Sequence, residues 1–458
     1  MKVIKIGGGC LKGKKQTAHI LDLIAERGRG HIFVVSALYG ITDILIKGME
    51  KAIKEEDSIP ELVSHLRSKH ALIARHLIPK GPLLKNFTRD LNRSLNQLER
   101  LYYGLNFTRE STPRMRDVIS SYGERFSAEL LAAAVRARGI QSTYLMPHTI
   151  GIMTDGKFED ATADLRKTAK NIQPRLKPLL SKGMILFVPG FFGVSENGDI
   201  TTFGRGGSDY SAAVMAAAME ADELEIWKDV AGYLSADPGF VEGARLIPIL
   251  SYREAAELSY FGAKILHPRT MEPLRVGKMN IAIKNTLDPD APGSLITYRG
   301  MASENVVKSV AHDTDIGILK VHASGVGARP GILAMIAGEL SDSGINIKSV
   351  VTSQTCISLL LSQKDLKAGH SVLKCLNPKP YQRLEKVGDI ALIGIVGDGL
   401  VGHKGVAARS FTAVAECNVN VEMSTFGPSR AALYFIVRNK DLQTTLTAIH
   451  STFFDKLN

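Results

Sequence analysis

Over the first 290 positions the hydrophobic pattern alternates between two rhythms. Short apolar runs end at glycine: KVIKIGG near the start, HIFVVSALYG from His31, continuously apolar, and GMILFVPGFFG from Gly183. ADELEIWKDVAG and MNIAIKNT follow the same plan. A run apolar at every position suits a strand buried on both faces. Between these runs lie stretches of helical period such as GERFSAELLAAAVRARG. The alternation predicts an α/β domain over 1–290, an open, mostly parallel sheet sandwiched by helices. Ligands bind such sheets beyond the carboxyl ends of the strands, where the glycine-rich segments fall here. Residues 45–118 depart from the rhythm. MEKAIKEEDSIPELVSHLRSKHALIARHL and LLKNFTRDLNRSLNQLERLYYGL read as two long amphipathic helices, which would cover one side of the site or make a subunit contact.

A stretch rich in Pro, Gly and Asp, LDPDAPGSLITYRG, predicts a linker over 291–303. Beyond it the pattern repeats. ARPGILAMIAGELSDSGINIKSV and GHKGVAARSFTAVAECNVNVEMS align at a constant offset, Gly331 with Gly405 and Asn346 with Asn420. Each copy reads strand, glycine turn, helix, strand, strand, helix. The pattern predicts two ferredoxin-like βαββαβ modules, 304–385 and 386–458. ENVVKSVAH, from Glu304 to His312, is an extra strand that could pair with the second module.

Composition narrows the class. With 458 residues, 45% hydrophobic and 22% charged, the chain resembles a soluble globular protein of two to four domains. No apolar run approaches the ~18 residues that would cross a bilayer. MKVIKIGGG lacks the apolar stretch of a signal peptide. The four cysteines show no CxxC spacing and no metal pattern, which predicts reduced thiols and a cytoplasmic setting. The net charge is +11, but the basic residues are scattered and no nucleic-acid motif appears. Surplus cations are therefore expected at sites for small anions.

The candidate chemistry sits in the glycine-rich segments. KIGGG offers Lys5 at a strand end, then Gly7, Gly8 and Gly9, whose bare backbone suits phosphate. A tight turn after a strand would look the same. In TTFGRGGSDY, Arg205 offers a planar fork for a carboxylate, and Asp209 can orient an ammonium. Their spacing also allows a surface ion pair with each other. WKDVAGYLSADP places Asp229 and Asp237 after a strand, and FGAKILHPRT places Lys264 where it either snorkels or enters the site. There is no Walker A sequence, no recognisable Ser-His-Asp or Cys-His arrangement, and no HExxH metal site. Phosphates held by backbone, cations and an oriented acceptor together suit phosphoryl transfer.

KIGGG, VVSALYGITD, SYGERFSAELL, DGKFEDA, PGFFG, TTFGRGGSDYSAA, WKDVAGYLSADP and FGAKILHP, in this order, resemble the aspartate kinases. The trailing repeat resembles their tandem ACT domains, so the likeness covers nearly the whole chain. TTFGRGGSDYSAA together with FGAKILHP is its specific part. The resemblance implies transfer of the ATP γ-phosphoryl to the side-chain carboxylate of L-aspartate, in lysine, threonine and methionine biosynthesis. It implies that Arg205 binds a substrate carboxylate, with Thr42, Glu124, Phe191, Thr202 and Ser208 completing the pocket and Glu124 facing the ammonium. It places Lys5 and Lys264 on the transferring phosphoryl, held by Asp209. Lys228, Asp229, Asp237 and Pro238 match the nucleotide segment, with Mg²⁺ arriving on ATP. It also implies a homodimer or larger homo-oligomer paired through the ACT modules, with an amino-acid effector near Asn346, Ile347, Ser353 and Gln354.

Three departures bear on nucleotide affinity. Gly9 and Cys10 stand where the family usually has Thr-Ser, Gly239 where it has Arg, and Lys228 where Thr is common. Two alternatives stay open: the same fold acting on another small acid such as glutamate, and a weakly catalytic paralogue serving as an amino-acid sensor.

Overall fold

The computed structural model describes residues 1–263, 265–301, 306–326 and 329–455. The chain divides into two compact units. The first gathers Met1–Tyr233, Pro248–Tyr252 and Ile265–Gly300. The second gathers Leu234–Ile247, Arg253–Lys264 and Met301–Asn458.

The first unit is built on β1 (Lys2–Ile6), β2 (Ile32–Val35), β3 (Ser142–Tyr144), β4 (Ile185–Pro189), β5 (Phe192–Val194), β6 (Ile200–Thr202), β7 (Glu223–Lys228), β8 (Ile249–Ser251), β9 (Ile281–Asn285) and β10 (Ser294–Thr297). Eight form one sheet in the order β3-β4-β2-β1-β7-β9-β10-β8. The first six in that order are parallel; β10 runs antiparallel to β9 and parallel to β8. β5 and β6 make a separate hairpin. β2 and β4 are buried at every residue, as their unbroken apolar runs require.

Register sets the site. Ile6 lies opposite Val35 and Trp227, and Val35 opposite Pro189. The carboxyl ends of β1, β2, β4 and β7 therefore finish side by side, and the segments after them open on one edge of the sheet. Around the sheet lie α1 (Gly13–Arg27), α2 (Ile41–Lys54), α3 (Ser58–Leu77), α4 (Pro82–Thr108), α5 (Pro113–Ser120), α6 (Tyr122–Arg136), α7 (Pro147–Ile150), α8 (Leu165–Leu180) and α9 (Gly207–Met219).

Two expectations need correction here. The first long amphipathic stretch is two helices, broken between Lys54 and Ser58. The charged Glu55–Asp57 turn has no apolar face to bury, and each helix then turns its own stripe onto α4. The Tyr102 hydroxyl donates to Leu45 O at 3.0 Å and the Asn106 amide to Ala52 O at 2.7 Å. The linker stretch 291–303 contains β10. Ser294 and Ile296 are buried while Leu295 and Thr297 are half-buried, a period-two pattern hidden among turn residues.

The second unit adds α10 (Tyr252–Tyr260), which begins in the first unit, and two four-stranded antiparallel sheets. One copy of the repeat is β12 (Gly317–His322), α11 (Ile332–Asp342), β13 (Ile347–Thr352), β14 (Cys356–Leu361), α12 (Leu366–Lys374) and β15 (Arg383–Val387), with strand order β13-β14-β12-β15. The other is β16 (Ile390–Val396), α13 (Val406–Glu416), β17 (Met423–Phe426), β18 (Ala432–Arg438) and α14 (Leu442–Phe454). Its fourth strand is β11 (Ser309–Asp313), which precedes the first copy and pairs with β16. The second module is thus not a self-contained βαββαβ unit; it borrows the strand that the sequence shows as an extra. Residues 304 and 305 of that expected strand lie outside the described residues. The aligned glycines Gly331 and Gly405 both precede helices at positive φ, 93° and 85°. Among the described residues no helix is long and apolar enough to cross a membrane.

Candidate active site

The end of β1 is the centre of the first unit's chemistry. Lys5 is buried, and its ammonium lies 2.6 Å from Asp209 Oδ1 on the first turn of α9. Asp209 pairs with Lys5 rather than with Arg205, which is exposed and has no hydrogen bond or ion pair among the described residues. Burial alone would raise the Asp209 carboxyl, yet the Lys5 and Lys228 ammoniums hold it below the usual carboxylate range. Lys228 ends β7. Its neighbour Ile226 lies opposite Lys5, and side chains alternate along a strand, so Lys228 and Lys5 share a face. Burial lowers the Lys228 pKa, Asp209 opposes that shift, and Lys5 adds to it.

After β1 the backbone turns through Gly7 into the 3-10 turn Gly8–Leu11. The Gly7 N–H donates to Trp227 O at 3.3 Å, which ties the glycine loop to the end of β7. A Cβ on Gly9 would lie 3.1 Å from Asp229 Oδ2, so a side chain there would push this exposed carboxylate aside by a few tenths of an ångström. Gly206, at φ 74°, begins α9 where a Cβ would collide with His267 at 2.4 Å.

A pocket of about 300 Å³ opens between this loop and the β2–α2 connection. Gly8, Gly9, Thr42, Asp43, Glu124 and Ser208 line it together with the Ser36–Gly40 turn. Glu124 is buried, one turn into α6. The Ser208 hydroxyl reaches its Oε1 at 3.4 Å, while Oε2 has no hydrogen-bond partner among the described residues. Burial pushes the Glu124 carboxyl up to about 7, against the Ala37 backbone, its own N–H, Ser208 and Lys5. Glu124 thus leaves a buried acceptor open beside the pocket.

Phe191 follows β4 at φ 79°, an unusual conformation for a bulky residue. It is held by the Ser211 hydroxyl, which accepts its N–H at 2.8 Å, and by Phe203 N–H on its carbonyl at 2.8 Å. Thr202 is buried on β6, and its hydroxyl donates to Asp117 Oδ1 at 2.6 Å. Asp117 also accepts the N–H groups of Thr202 and Glu159, each at 2.9 Å. The Thr202 hydroxyl is therefore already committed, and Asp117 fixes this wall. A lone acid inside RMRDVISS gave no signal of that role, whereas Asp43 and His267 stood inside the quoted motifs.

Lys264 lies outside the described residues. Asp237 and Pro238 belong to the second unit, exposed, where the Asp237 carboxylate accepts Gly239 N–H at 2.8 Å and closes its own turn. The effector candidates do not form one cluster within the chain. Asn346 and Ile347 sit where β13 begins, Ser353 and Gln354 where it ends, ~20 Å away for a strand of that length. Gln354 O accepts Val326 N–H at 3.2 Å; Gly327 and Ala328 of the GVGARPG loop lie outside the described residues.

Comparison with known proteins places this arrangement. The amino acid kinase family model matches residues 1–285, and an ACT domain model matches 393–453. The chloroplastic aspartokinase 2 of Arabidopsis thaliana is 30% identical over 99% of this chain and 84% of its own length. The chain belongs to the aspartokinases of the amino acid kinase family. Among solved aspartokinases, E. coli aspartokinase III in complex with aspartate and ADP (R-state) matches with a TM-score of 0.82. Identity is 27%, with 99% of this chain and 100% of that chain covered. The same enzyme in complex with lysine and aspartate (T-state) gives 0.84 at 27% identity, over 99% of both chains. The chain spans about half the length of the chloroplastic bifunctional aspartokinase/homoserine dehydrogenases that it also matches.

One aspartokinase departure changes meaning in the structure. Cys10 is buried, with its thiol 3.5 Å from Trp227 O and the Thr286 hydroxyl 3.7 Å from its sulfur. Burial raises its pKa. Its side chain points into the β7–β9 core, and only its backbone belongs to the loop.

Proposed function

We propose that this aspartokinase transfers the γ-phosphoryl of ATP to the side-chain carboxylate of L-aspartate. The product is 4-phospho-L-aspartate, the first step toward lysine, threonine and methionine. The observation that carries the reading is the buried Lys5–Asp209 pair at the mouth of the glycine loop, beside a pocket with an under-bonded Glu124. The aspartate and ADP bound to the E. coli relative support the choice of substrates.

The chemistry needs no general base, because an aspartate side chain of pKa ~3.9 is ionised at neutral pH. The task is to bring two anions together and align them. Lys5, fixed by Asp209, supplies positive charge to the transferring phosphoryl, and the N–H groups of Gly7, Gly8 and Gly9 line its path. Lys228 adds a second, half-buried cation on the same face, where Thr is common in the family. Lys264 takes its role from the family motif alone. Glu124 receives the substrate ammonium, Thr42 and Ser208 flank it, and the unpaired Arg205 takes a carboxylate. Phe191 and Thr202 shape the wall. Lys228 and Asp229 contact the nucleotide; Asp237 and Pro238 take that role from the family motif alone. Mg²⁺ comes with ATP and is held mainly by its phosphates; among the described residues no cluster of three or more His, Cys, Asp or Glu could hold a metal.

An acyl phosphate reacts with hydroxylamine to give a hydroxamate. Incubation with ATP, Mg²⁺, aspartate and hydroxylamine should yield aspartyl hydroxamate in step with ADP. Hydroxamate formed from glutamate at an equal rate would transfer the reading to another acid, and none from either would leave a sensor.

A further inference from the structure

A cavity of about 270 Å³ lies on the other face of the sheet from Lys5. Its floor is the indole of Trp227, the chain's one tryptophan, beside Ile4. Alternation along β1 and β7 turns these two side chains away from Lys5 and Lys228. Leu23 of α1 forms one wall. The roof is the loop after β9, strapped to α1 twice. The His19 ring lies 2.5 Å from Thr286 O, and Arg27 donates to Pro289 O at 3.2 Å and to Asp290 at 2.8 Å.

The lining carries more positive charge than negative. Lys2, Arg27 and Lys284 line it with one carboxylate, Glu225; Lys2 is paired with Glu223 and Glu225 and Arg27 with Asp290, so Lys284 is the cation left over. Glu225 is already committed, to Lys2 at 2.6 Å and to the Trp227 indole N–H at 2.9 Å. Among the described residues Lys284 keeps only the Pro292 carbonyl, at 3.3 Å. His31 Nδ1 is buried and has no hydrogen-bond partner among the described residues. A half-enclosed cavity with one spare cation, an unsatisfied imidazole nitrogen and an aromatic floor calls for an anion with an apolar body.

We propose that this cavity binds a small organic carboxylate of amino-acid size. Its charge meets the basic wall of Lys284 and His31, and its apolar body lies on Trp227, Ile4 and Leu23. Known ligand pockets begin near ~300 Å³, so the space suits a small metabolite rather than a nucleotide. Trp227 O holds the Gly7 N–H and the Cys10 thiol. Occupancy is thereby linked to the glycine loop; that link rests on the functional reading, the binding itself does not.

The lone tryptophan reports binding directly. The full chain, with aspartate and ADP saturating, is titrated with benzoate and with 4-methyl-2-oxopentanoate while Trp227 emission is followed. Benzyl alcohol and inorganic phosphate serve as uncharged and non-organic controls. Both carboxylates should give a saturable change with millimolar or tighter affinity, weakened about tenfold or more in Lys284→Gln and restored in Lys284→Arg. The controls should leave the emission flat. His31→Phe, which fills the space, should abolish the change, with a native thermal melt showing that it folds. No saturable change, an equal response to phosphate, or unaltered affinity in Lys284→Gln would overturn the proposal. None of these readouts depends on phosphoryl transfer.

Discussion

At the scale of the residue, Lys5 and Glu124 do different work under the same burial. Lys5 has its counter-charge within 2.6 Å and is held ready for an incoming anion. Replacing Lys5 with Met should lower kcat by roughly a hundredfold or more, as removal of one preorganised stabiliser does elsewhere. Circular dichroism should report an unchanged fold. Near-normal turnover in a folded Lys5→Met enzyme would remove the lysine from the mechanism. Arg205→Ala should instead raise KM for aspartate about tenfold to a hundredfold, the loss of one charged hydrogen bond, with little change in KM for ATP.

Glu124 gives a pH prediction of defined sign. Its folded pKa, about 7, lies above that of the unfolded chain. The stability it contributes is complete below the unfolded value and is lost as pH rises through about 7. An ammonium ligand favours the ionised form, so aspartate should bind more tightly as pH rises across that same range, releasing a proton at its lower end. Glu124→Gln should flatten the pH dependence of KM for aspartate and bind it weakly throughout. A wild-type KM that is flat between pH 6 and 8 would contradict the ammonium assignment.

At the scale of the element, the glycine loop is governed by what lies behind it. Cys10 is a core side chain against Trp227 O, so Cys10→Ser should leave KM for ATP within about twofold while costing some stability from burying a second hydroxyl. A large rise in KM for ATP would mean that the thiol reaches the nucleotide after all. The strands were legible because HIFVV is a continuous apolar run, as two-sided burial requires, while KVIKIGG and ELEIWK keep apolar residues around Lys2, Lys5, Glu223, Glu225 and Lys228. β10 was not legible, because its two inward residues are Ser294 and Ile296, set between PG and RG. The break between α2 and α3 was missed since a short charged turn does not interrupt an amphipathic count. At the site, motif glycines and Lys5 announced themselves. Asp117 did not, because its value comes from meeting Thr202 and Glu159, which are remote in sequence.

At the scale of the whole molecule, the second unit is two ferredoxin-like sheets, one completed by β11 from outside the repeat. β13 and β17 are edge strands that carry the exposed Val350 and Phe426. We propose that such edges pair between subunits, giving a homo-oligomer whose activity responds to lysine or threonine. With Asn346 and Gln354 at opposite ends of β13, an effector bridging both needs a second copy of the chain. Lysine or threonine at millimolar concentration should shift both the rate and the melting temperature, and Asn346→Ala and Gln354→Ala should each abolish the shift. No change in either quantity would leave the modules a purely structural role.

The central claim is that the pocket beside Lys5 presents aspartate to ATP. Its most direct measurement is the rate of ADP release by the full chain with ATP and Mg²⁺, compared across aspartate, glutamate and no acceptor. Release should be fast with aspartate and close to the no-acceptor background with glutamate. Equal rates in all three reactions would contradict the claim.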